Sequence, residues 1–229
     1  METLNNGFTL NIAPGTFPLS TDSMLLADFV RLPKNAAVLD LGSGCGTLGL
    51  LLCARDANCR VTGIELDPTA HAAALDNSCR NGICDRLSSI CGDLRSISDL
   101  IDIGSFSCCV SNPPYFSGGP ASKSLPEARR TDCCNTADLF QTAARALRWG
   151  GDFFLVHRPE QLAELCAQSC SAGLEPKRLC LVRHSPDKPV NLILLQCRKG
   201  AKPGLIWEEQ TLRNSDGSPT EAYRKLYHL

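Results

Sequence analysis

The chain has 229 residues, of which 43% are hydrophobic and 21% charged, with a formal net charge of −1. This length suits one sizeable α/β domain and is too short for two, and the composition excludes disordered and fibrous classes. No apolar run approaches the ~20 residues of a membrane helix, and the segment Met1 to Gly7 lacks a basic-then-apolar secretion signal, so a cytoplasmic protein is expected.

Strand and helix signals alternate along the chain. Ser20-Thr21-Asp22 ahead of Met24-Leu25-Leu26 and Phe29-Val30 reads as a capped amphipathic helix. Residues 36–41 form an apolar run ending in a Gly-rich turn, a buried strand, and 48–54 a helix. A second strand over 60–66 precedes a helix over 68–81 with Pro68 at an early position. Short strands follow at 88–91 and 106–111, the latter ended by Pro113-Pro114. A helix over 136–147, a strand over 152–156 and a helix over 159–171 come next. The runs 178–183 and 191–197 look like a closing antiparallel pair. The alternation predicts a mainly parallel sheet with helices on both faces. Residues 115–135, rich in Ser, Gly, Pro and Arg, carry no periodicity, as expected of a functional loop.

Fourteen cysteines invite a disulfide or metal reading. Their placement opposes both. No Cys-x-x-Cys occurs, and the adjacent pairs Cys108-Cys109 and Cys133-Cys134 have poor bridge geometry. Cys53, Cys108, Cys180 and Cys197 sit in apolar runs, where a free thiol acts as a small hydrophobe. Reduced thiols and no metal site are expected. Charge is uneven: residues 1–119 sum to −5 and residues 120–229 to +4, so a polyanion would dock on the second half.

Two motifs carry chemistry. Asp40-Leu41-Gly42-Ser43-Gly44-Cys45-Gly46 ends a strand and opens a helix, and its glycines allow a tight turn and close ligand approach. Glu65 ends the next strand, where a carboxylate can accept from both hydroxyls of a ribose, and Asp93 follows the third strand, where it could face an adenine amino group. Thr47 stands where a dinucleotide fingerprint would need glycine. The set predicts binding of S-adenosylmethionine (SAM). Asn112-Pro113-Pro114-Tyr115-Phe116 follows the fourth strand, beside that turn. An amino group conjugated to a ring or carbonyl is a poor nucleophile. Two acceptors, the Asn112 side-chain oxygen and the Pro113 carbonyl, would localise its lone pair and stabilise the charge developing on it. Tyr115 can stack on a planar substrate. No metal or covalent intermediate is required.

At these residues the chain resembles the class I SAM-dependent methyltransferases, and over its whole length the bacterial tRNA(Val) (adenine-N6)-methyltransferases. Beyond the two motifs, Thr21-Asp22-Ser23-Met24-Leu25-Leu26 is similar to the family's T-D-x-x-L-L segment. Ala128-Arg129-Arg130-Thr131-Asp132 resembles its A-R-H-x segment, with Arg130 at the His position, and Val156-His157-Arg158-Pro159-Glu160 with Glu175-Pro176-Lys177-Arg178 resembles its second half.

The resemblance implies a Rossmann-like fold with a seven-stranded, mainly parallel sheet whose last strand is antiparallel. It implies methylation of adenine N6 in tRNA, with Thr21 and Asp22 helping to close the cofactor pocket. Independently of the resemblance, Lys123, Arg129, Arg130, Arg158 and Lys177 of the basic second half, which follow the catalytic loop or a strand end, are with Phe116 the expected substrate contacts. The organisation expected is a pocket-closing segment (1–35), the methyltransferase domain (36–200) and a C-terminal extension of the same domain (201–229). Three alternatives remain open: a glutamine-N5 protein methyltransferase using the same Asn-Pro-Pro-Tyr chemistry, a DNA adenine-N6 methyltransferase, and a SAM-binding RNA or assembly factor without turnover.

Overall fold

The computed structural model describes residues 2–4, 7–16, 18–114 and 135–227. Two short strands, β1 (Glu2–Thr3) and β2 (Thr9–Leu10), precede helix α1 (Thr21–Phe29). Then come β3 (Ala37–Leu41), α2 (Thr47–Arg55), β4 (Arg60–Glu65), α3 (Pro68–Arg80), β5 (Leu87–Cys91), α4 (Ile97–Leu100) and β6 (Phe106–Ser111). From residue 135 onward come α5 (Thr136–Ala146), β7 (Leu147–His157), α6 (Leu162–Ser171), β8 (Leu174–Arg183), β9 (Val190–Lys199), β10 (Ile206–Thr211) and α7 (Glu221–Tyr227).

The main sheet has the order β10-β8-β9-β7-β6-β3-β4-β5. Strand β9 runs antiparallel to both neighbours, and every other pairing in this sheet is parallel. The seven expected strands are therefore β3 to β9, with the seventh antiparallel. The structure adds an eighth, β10, parallel to β8 at the edge. Its sequence, Ile-Trp-Glu-Glu-Gln-Thr, has no inward-facing alternation, since Ile206 and Trp207 are 70% and 63% exposed. Charge helps hold it: Arg178 pairs with Glu208 at 2.9 Å and Arg183 with Glu209 at 3.5 Å. The short β1–β2 ladder was also not expected from the sequence.

Consecutive residues in the central strands are buried on opposite faces. Val38, Cys108 and Phe154 join the core under α1 and α2, while Leu39, Cys109 and Phe153 join the one under α5 and α6. Cys108 and Cys109 thus point apart across the sheet, as period-two side-chain alternation demands. All twelve cysteines among the described residues are free. Helix α1 is capped at its start by Ser20, whose hydroxyl accepts from the Ser23 N–H. At its end the Arg55 guanidinium of α2 donates to the Ala27 and Val30 carbonyls, and Arg178 donates to the Phe29 carbonyl while covering the Phe29 ring at 4.3 Å. Both ends of this helix are therefore pinned, which matters because its first turn faces the site. No helix among the described residues is long and apolar enough to cross a membrane.

Candidate active site

The strand order reverses at β3, which has β4 on one side and β6 on the other. In open parallel sheets the crevice at the C-terminal ends of such strands is where ligands bind. Both sequence motifs emerge there. The register pairs Asp40 of β3 with Val110 of β6, and the Ser111 hydroxyl donates to the Leu41 carbonyl at 2.8 Å. Gly42 and Asn112, the residues after these, are thereby held on adjacent strand ends.

Gly42, Gly44 and Gly46 have φ of 74°, 55° and 81°, the left-handed region that a side chain penalises, so the alternating glycines follow from the turn. The turn is anchored beneath by the Ile64 carbonyl, which accepts from the Gly42 and Ser43 N–H groups at 3.0 and 3.1 Å. Gly63 on β4 was not singled out in the sequence. A Cβ there would lie 2.5 Å from the Ser43 hydroxyl, so its absence gives the turn room.

Three carboxylates follow successive strands. Asp40 is 1% exposed, and neither of its carboxylate oxygens has a hydrogen-bond partner among the described residues. Burial, and secondly the charge of Glu65, push its pKa up to about 8. The Glu65 carboxylate accepts from the Gly44 N–H and the Asp67 N–H, each at 2.8 Å and each on a different oxygen. This fixes its plane at the rim of the turn and leaves lone pairs on both oxygens. Asp93 stands after β5, where its carboxylate receives the Arg95 guanidinium at 2.6–3.0 Å and the Arg95 N–H at 2.9 Å. The Arg95 hydrogen bonds hold its pKa below the usual carboxylate range.

The Asn112 side of the crevice is held by α1. The Asn112 carboxamide donates from Nδ2 to the Ser23 hydroxyl at 2.9 Å, and Ser23 is 6% exposed. The Thr21 and Tyr227 hydroxyls are hydrogen-bonded at 2.7 Å, so α7 docks on the same first turn. Asp22 lies between Thr21 and Ser23 on that turn. Pro113 and Pro114 continue from Asn112 and are half-buried.

The remaining expected contacts separate. Tyr115, Phe116, Lys123, Arg129 and Arg130 lie outside the described residues. Arg158 follows the C-terminal end of β7, next to β6, and donates to the Asn191 carbonyl at 3.0 Å. Lys177 is not brought to the crevice: β9 and β7 stand between β8 and β6, and its ammonium donates to the Lys202 carbonyl at 2.9 Å.

Sequence reading missed two asparagines, Asn77 on α3 and Asn81 at its C-cap. Asn77 is fully buried. It accepts from the Asn11 N–H at 2.7 Å and donates to the Asn11 carbonyl at 2.8 Å and to the Cys45 carbonyl of the Gly-rich turn at 2.9 Å. One helical turn on, Asn81 makes the same pair of bonds to Thr9, both at 2.7 Å. Their spacing of four in a helix was the available signal.

The donor set fits SAM on its own chemistry. A buried carboxylate without a partner calls for a cation, which the ligand's ammonium supplies, and a rim carboxylate with spare lone pairs suits a ribose diol.

Residues 18–167 match the family described as the methyltransferase small domain. A protein of Dickeya chrysanthemi named tRNA1(Val) (adenine(37)-N6)-methyltransferase is 31% identical over 80% of this chain and 74% of its own length. One of Vibrio vulnificus with the same name is 29% identical over 96% of this chain and 90% of its own. Among solved structures, a predicted O-methyltransferase from Agrobacterium tumefaciens superposes with a TM-score of 0.76 at 21% identity, covering 91% of this chain and 96% of that one, a likeness of fold. A turn with three left-handed glycines, carboxylates at successive strand ends and an Asn-Pro-Pro loop across the switch point agree with these matches, and the chain belongs to the methyltransferase small domain family of class I, SAM-dependent methyltransferases.

Proposed function

We propose that this chain methylates N6 of an adenine in tRNA, in the cytoplasm. The observation that carries the reading is the placement of Asn112 and Pro113 across the strand-order reversal from the Gly42–Gly46 turn. SAM supplies a methyl group already activated on a sulfonium. In this reading Gly42, Gly44 and Gly46 receive the cofactor, Asp40 its ammonium and Glu65 its ribose, while Thr21 and Asp22, within the 1–35 segment, close the pocket. Asp93 reaches the adenine amino group only with an oxygen that also serves Arg95, which makes it the weakest of the cofactor contacts.

The remaining work is positioning. The Asn112 side-chain oxygen and the Pro113 carbonyl each accept one N–H of the reacting amine, drawing its lone pair out of conjugation toward the methyl group. Pro114 keeps the loop extended, because the residue before a proline avoids the helical region. Tyr115 and Phe116 stack on the base. Supporting tRNA as substrate are the activity for which the Dickeya and Vibrio relatives are named and the +4 charge of residues 120–229. Lys123, Arg129, Arg130 and Arg158 take the phosphates. Lys177, on β8 and bonded to the Lys202 carbonyl, lies two strands from β6 and is the most remote of the expected contacts.

The test is incubation of the purified chain with SAM and three acceptors: unmodified tRNA, a DNA duplex and a glutamine-containing peptide. Nucleoside and peptide mass spectrometry should find N6-methyladenosine in tRNA. Methylation of the peptide or the DNA instead would replace this reading with one of its alternatives.

A further inference from the structure

We propose that Ser23 is a positioning residue for methyl transfer: its buried hydroxyl holds the Asn112 carboxamide in the one orientation that presents oxygen to the substrate. The proposal rests on the reading above, in which Asn112 accepts an N–H from the reacting amine.

A primary carboxamide has two ends of nearly the same shape and opposite hydrogen-bonding sense. Turned one way, Asn112 offers an acceptor to an amino group. Turned the other way, it sets donor against donor and the lone pair stays in conjugation. What selects the orientation must sit on the opposite end of the amide and act as an acceptor. Ser23 does so, taking the Nδ2 hydrogen at 2.9 Å across 89 residues of sequence.

A serine hydroxyl can also donate, so it discriminates only if its own proton is committed elsewhere. The Ser20 hydroxyl lies 3.3 Å from it and, as the helix cap, accepts from the Ser23 N–H at 3.3 Å. Donation from Ser23 to Ser20 uses that proton and completes a one-way relay from Asn112 through Ser23 to Ser20. The surroundings favour this arrangement. Ser23 is 6% exposed, which keeps competing water from its oxygen, and α1 is pinned at its far end by Arg55 and Arg178. The position of the hydroxyl is therefore set by a helix fixed at both ends.

The experiment measures single-turnover methylation of tRNA by wild type, Ser23→Ala and Ser23→Thr, with SAM affinity by calorimetry and Tm as controls. Loss of one positioning hydrogen bond should slow the chemical step of Ser23→Ala by roughly 10-fold, with SAM affinity and Tm near wild type. Ser23→Thr, which keeps the hydroxyl, should recover most of the rate. The discriminating readout places Ser23→Ala in an Asn112→Asp background. A carboxylate has two equal ends and nothing to select, so there the Ser23 substitution should cost less than twofold. Ser23→Ala turning over at the wild-type rate, or losing the same factor in both backgrounds, overturns the assignment. Absence of tRNA methylation by the wild-type chain instead overturns the reading on which it rests.

Discussion

On the β3–β4 side of the crevice, the expected ligand contacts are backbone and carboxylate groups, and the β3 turn and the end of β4 set each other in place. Gly44 and Asp67 N–H groups orient Glu65, and the Ile64 carbonyl anchors the turn. On the β6 side, the Asn112 carboxamide is held by the Ser23 hydroxyl of a helix 89 residues earlier, and the first turn of that helix is bonded to α7 through Thr21 and Tyr227. The glycine-turn side is thus built from two adjacent βα units, whereas the Asn112 side is assembled from segments far apart in sequence. Binding and chemistry should accordingly be separable by mutation.

The sharpest way to break this comparison is Asn112→Ala. Removing one preorganised group that meets developing charge costs about 10²–10³ in rate, while SAM affinity measured by calorimetry should stay close to wild type. A parallel collapse of SAM binding would show the two sides to be one unit. Glu65→Ala should do the reverse. It leaves a ribose hydroxyl without its acceptor, at about 1–3 kcal/mol per unpaired group, so the SAM Kd should rise by roughly 5- to 150-fold, with the rate at saturating SAM little changed.

Asp40 sharpens the comparison through pH. Its carboxyl titrates near its usual 3.8 when unfolded and at about 8 in the ligand-free fold, so the folded state holds the proton more tightly. The stability contributed by the protonated group is complete at low pH and is lost as pH rises from about 4 through 8. Asp40→Asn abolishes that loss. In thermal melts without ligand its Tm should exceed wild type above pH 8, by about 2–4 °C for each kcal/mol recovered, and the advantage should vanish below pH 4. Its SAM affinity should nevertheless fall, because the ammonium loses its counter-charge. A wild-type Tm that rises steadily from pH 4 to pH 8 relative to Asp40→Asn would contradict this. The smallest expected effect is Arg129→Ala, which should reduce the log–log salt slope of tRNA binding by about one unit, with SAM binding untouched.

The same division explains how much the sequence disclosed. The βα alternation and both motifs were legible because each is contiguous and each residue type answers a local demand: left-handed φ at the glycines, a strand stop at the double proline. The link between Ser23 and Asn112 is not legible, since nothing beside either residue in sequence points to the other. Asp93 was found at its strand end, but its engagement by Arg95 depends on a side-chain conformation. Lys177 reads as a substrate contact from its charge and its expected place after a strand end, and only strand order reveals that two strands separate β8 from β6. Strand β10 escaped because an exposed edge strand has no buried face to impose a period-two pattern.

The paired asparagines at the end of α3, one in its last turn and one at its cap, limit how the chain can vary. Asn77 and Asn81 grip the arm at Asn11 and Thr9 through its backbone N–H and C=O groups alone. Such recognition is indifferent to which side chains the arm carries, with proline excepted because it lacks the N–H. Substitutions can therefore accumulate at Thr9 and Asn11 without loosening the grip, whereas the two asparagines that read the backbone have little freedom of their own. Asn77 is the more constrained, since its third bond reaches the Cys45 carbonyl inside the cofactor turn. Selection on this corner of the molecule should fall on the gripping residues and spare the segment they hold.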